Sequence, residues 1–225
     1  MFTHFKNDSI RKLVIAMGSL FNNVKLEQID ENNNTRLFAV PLSYATKEKF
    51  VKRLTQPSSI SDNTRIQISL PRMSFEMSNF SYDFTRKMNK LNIKTLSNSI
   101  NPTSSYTEVP YNFTFNLHVY TRNLEENLQI MEQILPYFSP EFVVSIKSNS
   151  LHPSVDVPIS IGTTMLTQEY EGDFSTRRFI VSSYQFIAKY YIFGPIKTEY
   201  IIKDINLNLW REDGLTLSAP FGITG

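Results

Sequence analysis

Apolar residues first recur with helical spacing just after the N-terminus. Ile10, Leu13, Val14, Met17 and Phe21 share one helical face, Asp8 or Ser9 can cap it, and Asn22-Asn23 suits its end. Gly18 sits inside that helix, where it costs about 1 kcal/mol against alanine, so a close backbone contact is expected there. Val24–Ile29 and Arg36–Val40 then read as a hairpin with a polar turn of Asp30, Glu31 and three asparagines. Thr46–Leu54 reads as a short basic helix with Phe50, Val51 and Leu54 inward, and Pro57 with two serines marks a loop. Ile66, Ile68 and Leu70, then Met73, Phe75 and Met77, alternate with polar residues. Pro71 between these runs predicts a bulge or bend, because proline cannot donate to a ladder.

The clearest strand is 111–120, where Tyr111, Phe113, Phe115, Leu117 and Val119 alternate with Asn112, Thr114, Asn116, His118 and Tyr120. A helix follows directly. Asn123 and Glu126 are spaced as a capping box, Leu124, Leu128, Met131 and Leu135 form the expected inward stripe, and Pro136 stops it. Val155–Leu166 reads as a strand interrupted by Pro158 and Gly162, followed by a polar turn from Glu169 to Thr176. A long aromatic strand spans Arg178–Phe193, and a last strand lies within Ile196–Trp210. The polar stretch 88–107 predicts an exposed loop or arm, and residues 211–225 a C-terminal tail. The sum is one α+β domain over 1–225: a mostly antiparallel mixed sheet with two or three helices on one face.

Composition narrows the chemistry. The 225 residues include no cysteine, which removes disulfides, thiolate nucleophiles and zinc–sulfur sites. A net charge of +2 does not single out nucleic acid or an anionic membrane as the main partner, and no run approaches a membrane span. The N-terminus lacks the layout of a signal peptide, so a cytoplasmic product is expected. Only 7 glycines leave little material for phosphate-cradling loops, whereas 17 phenylalanines and 11 tyrosines suit a sheet-rich core and broad interfaces.

His4, His118 and His152 lack metal-ligand spacing, and His118 is expected on the polar face of its strand. Glu125-Glu126 sits in a helix's first turn, where the dipole favours negative charge, and Glu169 with Glu171 has no nearby base. No catalytic, metal or cofactor site is expected. The residues most suited to partners are the basic Lys47, Lys49 and Arg53 of the short helix, Tyr184, Tyr190 and Tyr191 of the aromatic strand, and Trp210. Two other readings stay open. One is a ligand-binding module whose aromatic strand lines a pocket. The other is a hydrolase with converging carboxylates, for which the spacing offers no support.

Four blocks, in order, resemble the tail sheath stabiliser family of T-even-like contractile-tailed phages. They are Met17-Gly18-Ser19-Leu20-Phe21 within the first helix, and the run from Val40-Pro41 through Tyr44-Ala45 to Lys47-Glu48-Lys49-Phe50. Then come Leu70-Pro71-Arg72 with its strand ending near Phe80-Ser81-Tyr82, and Thr121-Arg122 with Gln129–Phe138, Pro140 and Phe142. The resemblance covers roughly 2–190 and stops before the C-terminus, where the family carries a longer acidic, proline-rich tail. It implies a virion protein, assembled in the host cytoplasm, that forms a homo-hexameric ring at the head-proximal end of the tail. Such a ring would meet the tail sheath protein, the tail tube terminator and the neck proteins. DNA would only pass through its lumen, and no cofactor, membrane or catalytic residue is implied.

Overall fold

In a computed structural model the described residues are 4–29, 35–55, 70–96, 102–147, 154–169, 179–198, 209–210 and 216–217. The chain begins with helix α1 (Ser9–Phe21) and the antiparallel hairpin β1 (Lys25–Ile29)–β2 (Thr35–Ala39). Strand β3 (Leu42–Tyr44), helix α2 (Lys47–Thr55) and strand β4 (Arg72–Tyr82) follow. A small hairpin, β5 (Ile93–Leu96) and β6 (Thr103–Tyr106), leads to β7 (Val109–Thr121), helix α3 (Leu124–Ile134) and a 3-10 turn at Leu135–Tyr137. Then come β8 (Glu141–Ile146), β9 (Val155–Glu169), β10 (Phe179–Ile192), β11 (Lys197–Thr198), β12 (Leu209–Trp210) and β13 (Thr216–Leu217). Six strands form the main sheet in the order β3-β4-β7-β10-β9-β8; β3 runs parallel to β4 and all other neighbours are antiparallel.

The spine is β7 against β10, paired without a shift from Ile180↔Thr121 to Ile192↔Val109. The alternation of β7 explains why it is central: Phe113, Phe115, Leu117 and Val119 all point into one core. Met73 and Phe75 from β4, and Tyr184, Phe186, Ala188 and Tyr190 from β10, extend that face. Over it lie Leu13, Met17 and Phe21 of α1, Leu26 of β1, and Ile130, Ile134 and Phe138 of α3 and its 3-10 turn. Phe186 is held between Phe21 and Phe138, with ring centroids 5.0 and 4.9 Å away. These tilted contacts suit the quadrupoles of the rings.

The helices do not all share that face. Tyr120 and Val181 point to the opposite side of the sheet, and Val51 of α2 packs against them with Leu70 and Phe179. The far end of β7's polar face is therefore covered: His118 and Tyr120 are buried. The inward stripe of α3 also differs from the expected one. Asn127, Ile130 and Ile134 point inward, while Leu124, Leu128 and Leu135 are exposed. Asn127 anchors this rotation: its Nδ2 donates to Thr121 Oγ1 at 3.3 Å and its Oδ1 accepts from Ser182 Oγ. A buried amide with both ends satisfied fixes which side of an ambiguous helix turns in.

Several local expectations shift as well. The stretch 88–107 is not a plain loop: β5 and β6 pair in it and β11 joins them, because alternating Thr, Ser and Tyr can form a ladder without an apolar run. The chain bends at Leu70-Pro71, as expected there, and β4 carries a further irregularity between Met77 and Asn79. Strand β9 is continuous, with its extra residue opposite the step from Tyr184 to Phe186, beside Gly162. Strand β8 was absent from the pattern reading. Asp8 holds a left-handed conformation at the start of α1 without a side-chain cap, and Glu126 reaches back to Arg122 N instead of closing a capping box with Asn123. The expected loop at Pro57, the strand residues 66–69, the turn 170–176, Arg177-Arg178 and most of 196–225 lie outside the described residues.

The close approach at Gly18 is made to a ring: a Cβ there would lie 3.0 Å from Phe75 Cζ. Phe75 is buried and edge-on to Tyr44 at 5.2 Å, so it has little room to retreat. Gly18→Val is expected to destabilise the protein by about 1–3 kcal/mol through overpacking, read from the midpoint of urea unfolding. An unchanged midpoint would show that the α1–β4 contact is loose.

Candidate assembly surface

The expected partner residues separate sharply. Tyr184 and Tyr190 are 1% and 0% exposed, so neither offers area to a partner. Both alternate with Ser183, Gln185 and Lys189, and the pairing of β10 with β7 puts them on the core face. Burial pushes the Tyr184 phenol upward, with the Ser182 hydroxyl opposing it. Tyr191 is half-buried, and the Arg86 guanidinium lies over its ring at 5.0 Å. Lys49 is exposed on α2, whereas Lys47 is half-buried near His118. The side chains of Arg53 and Trp210 lie outside the described residues, although Trp210 backbone pairs with Thr216.

Exposed apolar side chains sit elsewhere. At the corner where β4 ends, Phe80 and Phe84 are exposed, the latter 81%, and Leu91, Ile93 and Tyr106 of the small hairpin region are exposed as well. An aromatic chain links that corner to the core: Phe84 to Tyr82 at 4.9 Å, Tyr82 to Tyr111 at 5.7 Å, Tyr111 to Phe113 at 6.3 Å and Phe113 to Tyr190 at 6.4 Å. On α3 and the 3-10 turn after it, Leu124, Leu128 and Leu135 form an outer ridge that ends in Tyr137. On β9, Met165 and Leu166 are exposed on opposite faces. Apolar surface shared among several secondary elements marks a site of protein contact more readily than isolated leucines do.

The corner is held stiffly. Asp83 Oδ1 accepts from Thr85 N at 2.9 Å and Thr85 Oγ1 at 2.6 Å, and its Oδ2 accepts from Arg86 Nε at 2.7 Å. The Arg86 Nη2 also donates to Tyr111 O and Asn112 Oδ1, at 3.2 and 2.9 Å. The Thr85 hydroxyl and then Arg86 hold the Asp83 carboxyl far below its usual range.

A second polar cluster lies under α2. His118 Nδ1 is 2.9 Å from Ser183 Oγ, and its Nε2 is 3.5 Å from Glu76 Oε1, an ion-pair distance without hydrogen-bond geometry. Ser74 Oγ and Tyr120 OH are 3.3 Å apart beside it. Serine, histidine and glutamate in a row resemble a nucleophilic triad, but the setting lacks what such chemistry needs. Ser183 lies in mid-strand between β7 and β9, so its neighbouring amides belong to ladders and form no oxyanion hole. The contacts fit a neutral imidazole that accepts the Ser183 hydroxyl at Nδ1 and turns Nε2–H toward Glu76. Burial pushes the His118 imidazole below its usual range; Glu76 opposes that shift and Lys47 adds to it.

Among the described residues, no group of three or more His, Asp or Glu could hold a metal, and no helix is long and apolar enough to cross a membrane. A groove of about 480 Å³ is lined by Leu20, Phe21, Val24, Ile134, Tyr137 and Phe142, among others. Its walls are the ends of α1 and α3, and the aromatic strand β10 contributes none of its lining. The expectation of a ligand pocket lined by that strand finds no match in this groove.

With this surface in view, the comparisons are decisive. The model of the T4-like virus Myoviridae tail sheath stabiliser matches residues 4–218. The chain belongs to this family. It is also 30% identical over 203 residues to the tail completion protein gp15 of Enterobacteria phage T4, covering 87% of this chain and 74% of that protein. This tail sheath stabiliser is therefore a structural component of a contractile phage tail, associated with other tail components and carried in the virion. The matched block Gln129–Phe138 has a visible role: Ile130, Ile134 and Phe138 enter the core, while Gln129 and Gln133 bond the backbone of β1. Sequence reasoning missed the outer ridge of α3 because its leucines were assigned to the core.

Two pH windows follow. A histidine held below its unfolded value contributes stability that is present above about pH 6.5 and lost as pH falls through the folded value. Denaturant midpoints are expected to drop from pH 7 toward pH 5, and His118→Gln is expected to flatten that drop; an identical slope in the variant would assign the window to other groups. Asp83 is depressed too, so its contribution is present above about pH 4 and lost only in stronger acid. Asp83→Asn is expected to lower the thermal midpoint at pH 7 and to lose that difference as pH falls below 4. A difference that persists in acid would show that the Asp83 charge contributes nothing.

Proposed function

We propose that this tail sheath stabiliser acts as a ring, hexameric and closed, at the head-proximal end of the tail. There it caps the last sheath ring and the tail tube terminator and gives the neck proteins a surface on which to join the head. Assembly takes place in the host cytoplasm, and DNA passes through the lumen without being read. The observation that carries this reading is family membership joined to exposed apolar side chains: Phe80 and Phe84 where β4 ends, Leu91 and Ile93 in the small hairpin region, and the ridge of α3 and its 3-10 turn ending in Tyr137. A helical polymer such as a sheath grows or shrinks at its ends, and a closed ring of identical subunits supplies a terminus with no further binding site of the same kind.

The surfaces divide between the joints of this assembly. Obligate interfaces bury on the order of 2,000 Å² or more and are rich in aromatic residues. The hairpin within 88–107 and the residues after Trp210 are proposed to meet other tail components. The basic face of α2, with Lys47, Lys49 and Arg53, is proposed to make salt-bridging contacts to a neighbouring subunit, and Tyr191 and Trp210 to lie at partner contacts.

Light scattering on the purified protein, alone and mixed with isolated tail ends, tests the ring. The expected mass is a multiple of the monomer, rising to one closed size. A monomer at every concentration and in the mixture would refute it. In phage lacking this protein, negative-stain images are expected to show tails that lose or contract their sheaths; extended, intact sheaths would remove the capping role.

A further inference from the structure

The main sheet ends unevenly on both sides, and the unevenness is complementary. On one side β8 pairs with β9 only from Val155 to Ser160, so residues 161–169 of β9 have β10 on one flank and no strand on the other among the described residues. On the other side β3 pairs with β4 only from Met73 to Phe75, so residues 76–82 have β7 on one flank and again no strand on the other. Counted along the central strand, the open part of β9 lies opposite 179–186 of β10. The open part of β4 joins β7 at 111–116, which lies opposite 185–190 of β10. The two notches therefore occupy diagonal corners of the sheet.

The fold covers the edge of β1. Gln133 Nε2 donates to Lys25 O at 2.6 Å, Gln133 Oε1 accepts from Lys25 N at 3.2 Å, and Gln129 Oε1 accepts from Glu27 N at 3.2 Å, so α3 side chains stand in for a strand beside β1. Among the described residues the open half of β9 has no such cover. Gly162–Thr167 are all exposed, the segment is rich in threonine, and its only charge is Glu169 at the end. Long, uncharged, apolar-tipped edges of this kind invite another strand.

We propose that the open half of β9 receives the open half of β4 from a second copy of this chain, joining subunits head to tail by one continuous sheet. The inference rests on the ring reading above and names the joint that closes it. Polarity fits: β4 and β9 run in opposite directions in the sheet, so the added pair is antiparallel. The notches fit as a lap joint, with the incoming β4 lying beyond the end of β8 and its own β3 beyond the end of β9. Chemistry fits too: Phe80 projects from the same face of the sheet as Thr164 and Leu166, and apart from Glu76 and Glu169 at one end the margin is of serines, threonines, asparagine and apolar residues. Phe80 N–H is held by Asn79 Oδ1 at 2.8 Å, a placeholder that an incoming carbonyl replaces. Each copy uses each notch once, as a heterologous interface requires, and a constant stagger between tilted strands is compatible with closure.

The absence of cysteine makes the joint directly testable. Phe80→Cys with Thr164→Cys, oxidised in the full chain under assembling conditions, is expected to give a ladder of cross-linked oligomers extending beyond the dimer on a non-reducing gel. Neither single variant should give more than traces. Dimers from Thr164→Cys alone would show β9 pairing with itself and overturn the proposal. A second variant, Thr164→Lys with Leu166→Lys, charges an already exposed edge; its melting midpoint should stay within a few degrees of the parent while light scattering finds only monomer. If the parent chain forms a closed oligomer and the lysine variant forms it equally well, the joint is wrong and the ring stands. If the parent chain stays monomeric alone and on tail ends, the ring reading fails and this inference fails with it.

Discussion

The unbroken antiparallel pairing of β7 with β10 is the constraint on which the rest of the molecule depends. It fixes which residues of two long aromatic strands face the helices, and a slip of one residue would turn every one of them to the other side. With no disulfide to hold the chain and no metal-ligating cluster among the described residues, this register is kept by packing. Phe115, Leu117, Tyr184 and Phe186 are almost wholly buried beneath α1 and α3. Asn127 then ties α3 to both strands at once through Thr121 and Ser182. One polar residue thus sets the rotation of a helix, and that rotation decides which apolar side chains remain outside.

Function follows from what the spine leaves uncovered. Because β7 and β10 are central, the shorter β3 and β8 protect only part of each margin, and the neighbouring halves of β4 and β9 have no further strand beside them among the described residues. The aromatic chain from Phe113 leads out of the core to the exposed Phe84, braced by Asp83 and Arg86. A tail sheath stabiliser has a mechanical task. A stiff body with surfaces directed at several partners suits that task better than an enclosed cavity does.

Much of this was legible in the residues. The apolar spacing of α1, the alternation of β7 and the aromatic run of β10 gave elements close to those observed, because in each case periodicity and burial agree. The four blocks resemble those of the tail sheath stabilisers on their residues alone. Other parts were hidden for identifiable reasons. The helix after β7 carries two apolar stripes, and the leucine-rich one looked better suited to the core until Asn127 is seen to need both Thr121 and Ser182. Tyr184 and Tyr190 looked like interface tyrosines because composition alone cannot say which face of a strand is covered. The hairpin within 88–107 has no apolar run, and its strands exist by virtue of pairing with each other and with β11. Open sheet margins leave no local trace, since they depend on the relative lengths of strands far apart in sequence.

Hydrogen exchange followed by mass spectrometry, on the isolated chain and on the assembled tail end, tests the central claim most directly. The account predicts that β7 and β10 amides are the slowest in both states. Amides of 161–169 and 76–82 should exchange quickly in the isolated chain and become protected on assembly. Protection of those two margins already equal to that of β7 in the isolated chain, or no change in them on assembly, would contradict it.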